Sequence, residues 1–154
     1  MKPSFTARGG WWVVAQGGLI ATGLAAGPLG AAEHPAVALR VIGGLLAVAG
    51  AGFGVTGVLA LGRQLTPFPK PGAGAALVQR GIYRYVRHPL YTSVMALAWA
   101  WGLVWASAVA LVVAGLLCAL LYFKAQTEER WLREQFPDYT DYERRVRRFV
   151  PWVI

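Results

Sequence analysis

The sequence predicts an all-α polytopic membrane protein, on three observations: four apolar stretches near the length of a bilayer crossing, almost no charge inside them, and cations gathered at their flanks. Hydrophobic residues make up 56% of the 154 positions and charged residues only 14%, which lies outside the usual soluble range. The stretches 11–30, 37–61, 89–105 and 107–123 each approach the roughly 20 residues that cross about 30 Å of hydrocarbon. None holds an acidic residue, and Arg40 is the sole base among them. By length the chain is a single domain, 1–154.

A net charge of +8 would suggest nucleic acid in a soluble protein, so the placement of the bases decides the class. Lys2 and Arg8 precede the first stretch. Arg63, Lys70, Arg80, Arg84 and Arg87 lie between the second and third, and Lys124, Arg130, Arg133, Arg144, Arg145, Arg147 and Arg148 follow the fourth. The other two connections carry no Lys or Arg. This is the positive-inside pattern with both termini and the middle loop cytoplasmic, and it argues against a nucleic-acid partner. The expectation is an inner-membrane protein of a bacterium or archaeon, in contact with membrane lipids; the oligomeric state is left open.

The elements follow in order. Trp11-Trp12 reads as an interfacial anchor opening the first span rather than as part of a cleaved signal. In the second span, Gly43-Gly44 through Gly57 suggest close backbone approach between helices. The third and fourth spans form a short hairpin, although Trp105-Ala106-Ser107 contains neither Gly nor Pro. One helix from Pro89 to Phe123 would be about 52 Å long and would put its cationic flanks on opposite sides of the membrane. Cys118, alone in the sequence, reads as a packing residue. After the fourth span, Asp138 is placed to cap an amphipathic helix over 139–149. Its Tyr139, Tyr142, Val146 and Phe149 share one face, which reads as a helix lying on an anionic leaflet.

Chemistry concentrates in the segments outside the bilayer, because polar side chains within the spans are scarce and isolated and suggest no metal cluster. The middle loop opens with prolines at 67, 69 and 71, which forbid helix and suggest either an extended run at the membrane surface or a plain linker. Next comes Gly81-Ile82-Tyr83-Arg84-Tyr85-Val86-Arg87-His88-Pro89-Leu90-Tyr91-Thr92. Pro89 suits the first position of the third span, so free amides at that helix start favour an anionic group such as a carboxylate. An interfacial belt of Tyr and Arg accounts for the same residues, and chemistry alone leaves both readings open. Beyond the fourth span, Lys124 and Glu128 lie one turn apart on one helical face, in the less favourable order for an ion pair. A carboxylate there can instead hold a cation or ribose hydroxyls.

These segments resemble the isoprenylcysteine carboxyl methyltransferase family, grouped with membrane phospholipid methyltransferases. The matching residues are Leu77-Val78, Gly81, Tyr83, Arg87-His88-Pro89 and Tyr91, then Glu128-Glu129, Phe136, Tyr139, Tyr142, Val146 and Pro151. The likeness runs from about Gly62 to Pro151. It implies an S-adenosylmethionine site, leaving S-adenosylhomocysteine as product, built from about 75–91 and 124–151. Ala75, Ala76, Leu77, Val78, Tyr83, His88, Pro89, Leu90 and Tyr91 would line it, with Glu128 and Glu129 binding the cationic cofactor. Lys124 stands where the eukaryotic enzymes carry an acceptor-binding arginine, so Lys124 and Arg87 are the expected acceptor-side cations. The implied activity is methyl transfer to a lipophilic acceptor that arrives from the bilayer, with positioning and water exclusion in place of acid–base residues. Three other readings share much of the pattern: a lipid-amine N-methyltransferase, a nicotinamide-dependent membrane reductase, and a lipid-binding protein without activity. The Glu-Glu pair and the absence of a phosphate-binding Gly loop argue against the reductase.

Overall fold

A computed structural model describes residues 4–72 and 74–151; Lys2, counted above among the flanking cations, lies outside them. Five α-helices carry the fold: α1 (Gly10–Leu29), α2 (Val37–Leu61), α3 (Pro89–Trp105), α4 (Ala108–Gln135) and α5 (Tyr139–Arg145). Short 3-10 turns occupy Thr6–Arg8, Gly62–Gln64 and Gly81–Arg84. Among the described residues there is no strand, only one isolated parallel bridge between Val86 and Arg147. The protein is all-helical and of the membrane class.

By length and composition three helices can cross a bilayer, Gly10–Leu29, Val37–Gln64 and Ala108–Gln135. Four were expected. α3 has 17 residues, about 26 Å at 1.5 Å per residue, which falls short of the roughly 20 residues of a standard crossing. α4 has 28, about 42 Å, so its C-terminal part from about Glu128 projects past about 30 Å of hydrocarbon.

Small residues set the packing. α2 lies along α3, and its buried glycines Gly43, Gly50 and Gly57 recur every seventh residue on the contact face. A Cβ on Gly43 would stand 2.9 Å from the Ala100 carbonyl oxygen, and one on Gly57 would stand 2.9 Å from Leu90 Cδ2. Gly44 and Gly52 meet nothing and face outward. The close approach expected of α2 is therefore a stripe with a specific partner rather than a general property of a Gly-rich helix.

The α3–α4 break forms where charge required it. Ala106 adopts a left-handed conformation (φ 49°), and the Ser107 hydroxyl accepts from the Ala110 amide at 3.2 Å as the N-cap of α4. Ser107 also donates to the Ala26 carbonyl at 2.8 Å. Pro28 inside α1 has no amide for the Leu24 carbonyl, and Trp101 Nε1 donates to that oxygen at 3.3 Å instead. These bonds tie α1 to the hairpin. An apolar cavity of about 440 Å³ remains between them, lined by Leu19, Ile20 and Leu24 of α1, Val94 and Trp101 of α3, and Val113 of α4, among others.

The C-terminal segment departs from expectation. Its helix ends at Arg145 rather than reaching Phe149, and Asp138 makes no side-chain cap. The reason lies in Arg87: its Nη1 donates to the carbonyls of Glu143 (2.6 Å) and Val146 (2.8 Å), and a continued helix would need the first of these for its own ladder. Val146 is extended instead (φ −115°, ψ 135°), and Arg147 forms the bridge to Val86. The Arg87 and His88 amides donate to the carbonyls of Arg147 (2.8 Å) and Arg148 (3.0 Å). Tyr139, Tyr142, Val146 and Phe149 are all buried in the protein, so the face read as lipid-facing seals the start of α3.

Candidate active site

Pro89 at the first position of α3 fixes where that helix begins, and His88 before it is held out of helical geometry (φ −125°, ψ 59°). The His88 ring therefore points across to α4, where Glu128 and Glu129 lie one step apart on adjacent faces. Nε2 of His88 is 3.1 Å from Glu129 Oε1, and Nδ1 is 3.9 Å from Glu128 Oε2. His88 stacks on Tyr91 with ring centroids 5.1 Å apart and 7° between planes. Tyr91 in turn donates its hydroxyl to Glu128 Oε2 at 2.6 Å.

The two glutamates have different surroundings. Glu129 is fully buried and receives Arg87 Nε (3.1 Å), Arg148 Nε (3.1 Å) and Arg148 Nη2 (2.7 Å) in addition to His88. Burial pushes its carboxyl up, but the hydrogen bonds from His88 and Arg148 and the charge of Arg87 outweigh it and hold the group down to about 2. An ionised carboxylate only accepts, so the proton in this contact sits on His88 Nε2. Glu128 is one-quarter exposed. Burial pushes its carboxyl above the ordinary range, against the opposing pull of His88, Tyr91 and Lys124. No described residue hydrogen-bonds its Oε1. Glu129 thus binds three segments together, while Glu128 offers a free oxygen.

Glu128 lines a cavity of about 140 Å³. Ala75, Ala76, Leu77, Val78, Tyr83, Arg87, His88, Leu90, Tyr91 and Glu128 all line it. Pro89, Lys124 and Glu129 do not. Lys124 is 2% exposed, donates to Gln16 Oε1 (2.6 Å) and the Pro67 carbonyl (3.1 Å), and lies 5.2 Å from the Tyr91 ring centroid. Arg87 reaches the cavity but spends its guanidinium on Glu129 and two carbonyls. The amides expected to be free at the α3 start are mostly used: Tyr91 and Thr92 donate to the His88 carbonyl and His88 to Arg148, which leaves Leu90.

One wall was missed in the sequence, and a second, within the expected 124–151, had no residue named for the site. The proline-rich run, open there to a linker reading, contributes Thr66, Phe68, Pro69 and Pro71. It is fastened by Gln64 Oε1 accepting from the Ala76 amide at 2.6 Å, and by Arg8 stacked 4.2 Å above the Phe68 ring. The stiffness that alternate prolines give an extended backbone was the available signal. The other wall is Leu132, Phe136, Tyr139 and Tyr142, whose burial follows from the fold-back of the C-terminal segment. Together these surfaces offer one carboxylate oxygen, several aromatic faces and an apolar end, which suits a cationic ligand bearing a flat ring.

No curated protein matches the sequence significantly. The family model described as phospholipid methyltransferase matches residues 39–139, which takes in α2, the middle loop, the hairpin and the first residue of α5. The cavity with its Glu128 and His88–Tyr91 wall lies almost wholly within that span. An integral membrane protein that matches this model over well over half its length is a member of a methyltransferase family, and the chain belongs to the phospholipid methyltransferase family.

Proposed function

We propose that the protein transfers a methyl group from S-adenosylmethionine to a lipophilic acceptor at the cytoplasmic face of the membrane. One observation carries the donor half: His88 from the opening turn of α3 and Glu128 from the far end of α4 meet, 3.9 Å apart, on one cavity. The residues present fit the cofactor. The unpaired Glu128 oxygen would oppose its positive charge, and His88, Tyr83 and Tyr91 give aromatic walls. When bound, the cofactor supplies an electrophilic methyl group on sulfur. Tyr91 fixes the Glu128 carboxylate, the proline run and the C-terminal segment exclude water, and an acceptor needs only in-line approach.

The apolar cavity between α1 and the hairpin supports a hydrocarbon-bearing acceptor. The acceptor head has two candidates. The resemblance to prenylcysteine enzymes favours a carboxylate, which needs no base. A lipid amine is favoured by the engagement of both expected acceptor-side cations: Arg87 and Lys124 give their hydrogen bonds to protein partners, so neither is free to grip a carboxylate. An amine must first lose a proton, and Glu128, pushed up by burial, is suited to take it. Purified protein in vesicles, given S-adenosylmethionine labelled in the methyl group, separates the two. Label transferred to phosphatidylethanolamine that mild alkali does not release as methanol indicates nitrogen; label transferred to a prenylcysteine and released as methanol indicates an ester. Transfer to neither, with binding of NADPH in place of S-adenosylhomocysteine, would overturn the proposal in favour of a reductase.

A further inference from the structure

The buried hydroxyl of Tyr139 has no hydrogen-bond partner among the described residues. The side chain is 1% exposed and belongs to the lining of the cavity that Glu128 also lines. Its neighbour Tyr142 is buried to the same degree and donates to the Tyr83 carbonyl at 2.7 Å; the two rings meet edge to face, 5.8 Å apart. One tyrosine of the pair is thus satisfied inside the protein and the other is not. A buried hydroxyl left without a partner is costly, and phenylalanine would fill the same space without that cost.

The surroundings narrow what the missing partner is. Tyr139 belongs to an apolar cluster with Tyr142 and Val146, packed on by Leu77, Leu132 and Phe136. Leu77, Leu132 and Phe136 also line the cavity. Burial pushes the Tyr139 hydroxyl well above its ordinary range, so it remains protonated and can donate. An apolar wall that carries a hydroxyl donor suits a flat heteroaromatic ring whose edge carries an acceptor nitrogen.

We propose that Tyr139 is a ligand-binding residue whose hydroxyl donates to a ring nitrogen of the methyl donor's adenine, seated against Leu77, Leu132 and Phe136. This rests on reading the cavity as a methyl-donor site and names the group that reads the base. The test is calorimetry on the full-length protein in detergent, using S-adenosylhomocysteine and its 1-deaza, 3-deaza and 7-deaza forms, each lacking one ring nitrogen. Tyr139→Phe should weaken S-adenosylhomocysteine about tenfold, the usual worth of one such bond. Against one of the deaza forms the variant and the parent should bind equally, because that form has lost the acceptor. The ligand-free melting temperature of Tyr139→Phe should be unchanged or higher; a lower one would show that the hydroxyl has a partner inside the protein and would overturn the assignment. Equal affinity of parent and variant for S-adenosylhomocysteine overturns it too, as does a loss that persists with all three deaza forms. Failure of the parent protein to bind S-adenosylhomocysteine at all would instead count against the donor site itself.

Discussion

Glu128 and Glu129 are neighbours in the chain and opposites in role, and substitution should separate them. Glu129→Gln leaves Arg87 and Arg148 without their shared carboxylate in a buried site, which should cost about 3–5 kcal/mol of stability and be visible in denaturant titrations. Glu128→Gln should leave the melting temperature nearly unchanged, since its remaining oxygen has no protein partner to lose. Acid supplies an independent check on Glu129. Its folded-state carboxyl titrates near 2, below the ordinary value of about 4.3, so its stabilisation is fully present above pH 4.3 and disappears as pH falls toward 2. Roughly 3 kcal/mol should be lost across that window, and Glu129→Gln should flatten the corresponding part of the stability–pH curve. The sequence offers Glu-Glu as a pair with one role. Which member faces the cavity depends on the direction of α4 relative to His88, and that is fixed only by tertiary packing.

At the scale of the elements, the glycine stripe of α2 carries the most direct prediction. Gly43→Val drives a side chain into the Ala100 carbonyl, where backbone cannot yield, and should destabilise the protein by about 1–3 kcal/mol. Gly44→Val, one residue on and facing open space, should be near neutral in the same thermal melts. The ends of α2 and α3 were legible because charge and Pro89 mark them, and the α3–α4 break because a single long helix would split the cations. The left-handed Ala106 carries no residue-level signal, so only that length argument found it. The C-terminal helix misled for a physical reason. Its pattern is amphipathic, but the partner for its apolar face is protein rather than lipid, and the long-range bonds from Arg87 to the Glu143 and Val146 carbonyls have no trace in local periodicity.

The whole molecule places its polar chemistry at one end of an apolar bundle. Four separate stretches contribute to that end: the proline run, the opening of α3, the exit of α4, and the C-terminal segment through Tyr139 and Tyr142 of α5 and through Arg148 on Glu129. The family match takes in the first three, and the sequence resemblance named most of the wall formed by the opening of α3 and the exit of α4. The outer two are held by contacts far apart in the chain, such as Thr92 Oγ1 donating to the Phe149 carbonyl at 2.7 Å. Ending the chain after Arg145 should therefore open the cavity and abolish donor binding while leaving α1 to α4 helical by circular dichroism. The central claim is that these stretches enclose one methyl-donor nucleotide held by Glu128. Isothermal titration of S-adenosylhomocysteine into the purified protein and its Glu128→Gln variant tests it most directly. Saturable one-to-one binding to the parent, weakened at least about tenfold in the variant, is the expected result; no binding to the parent, or equal affinity in both, would contradict it.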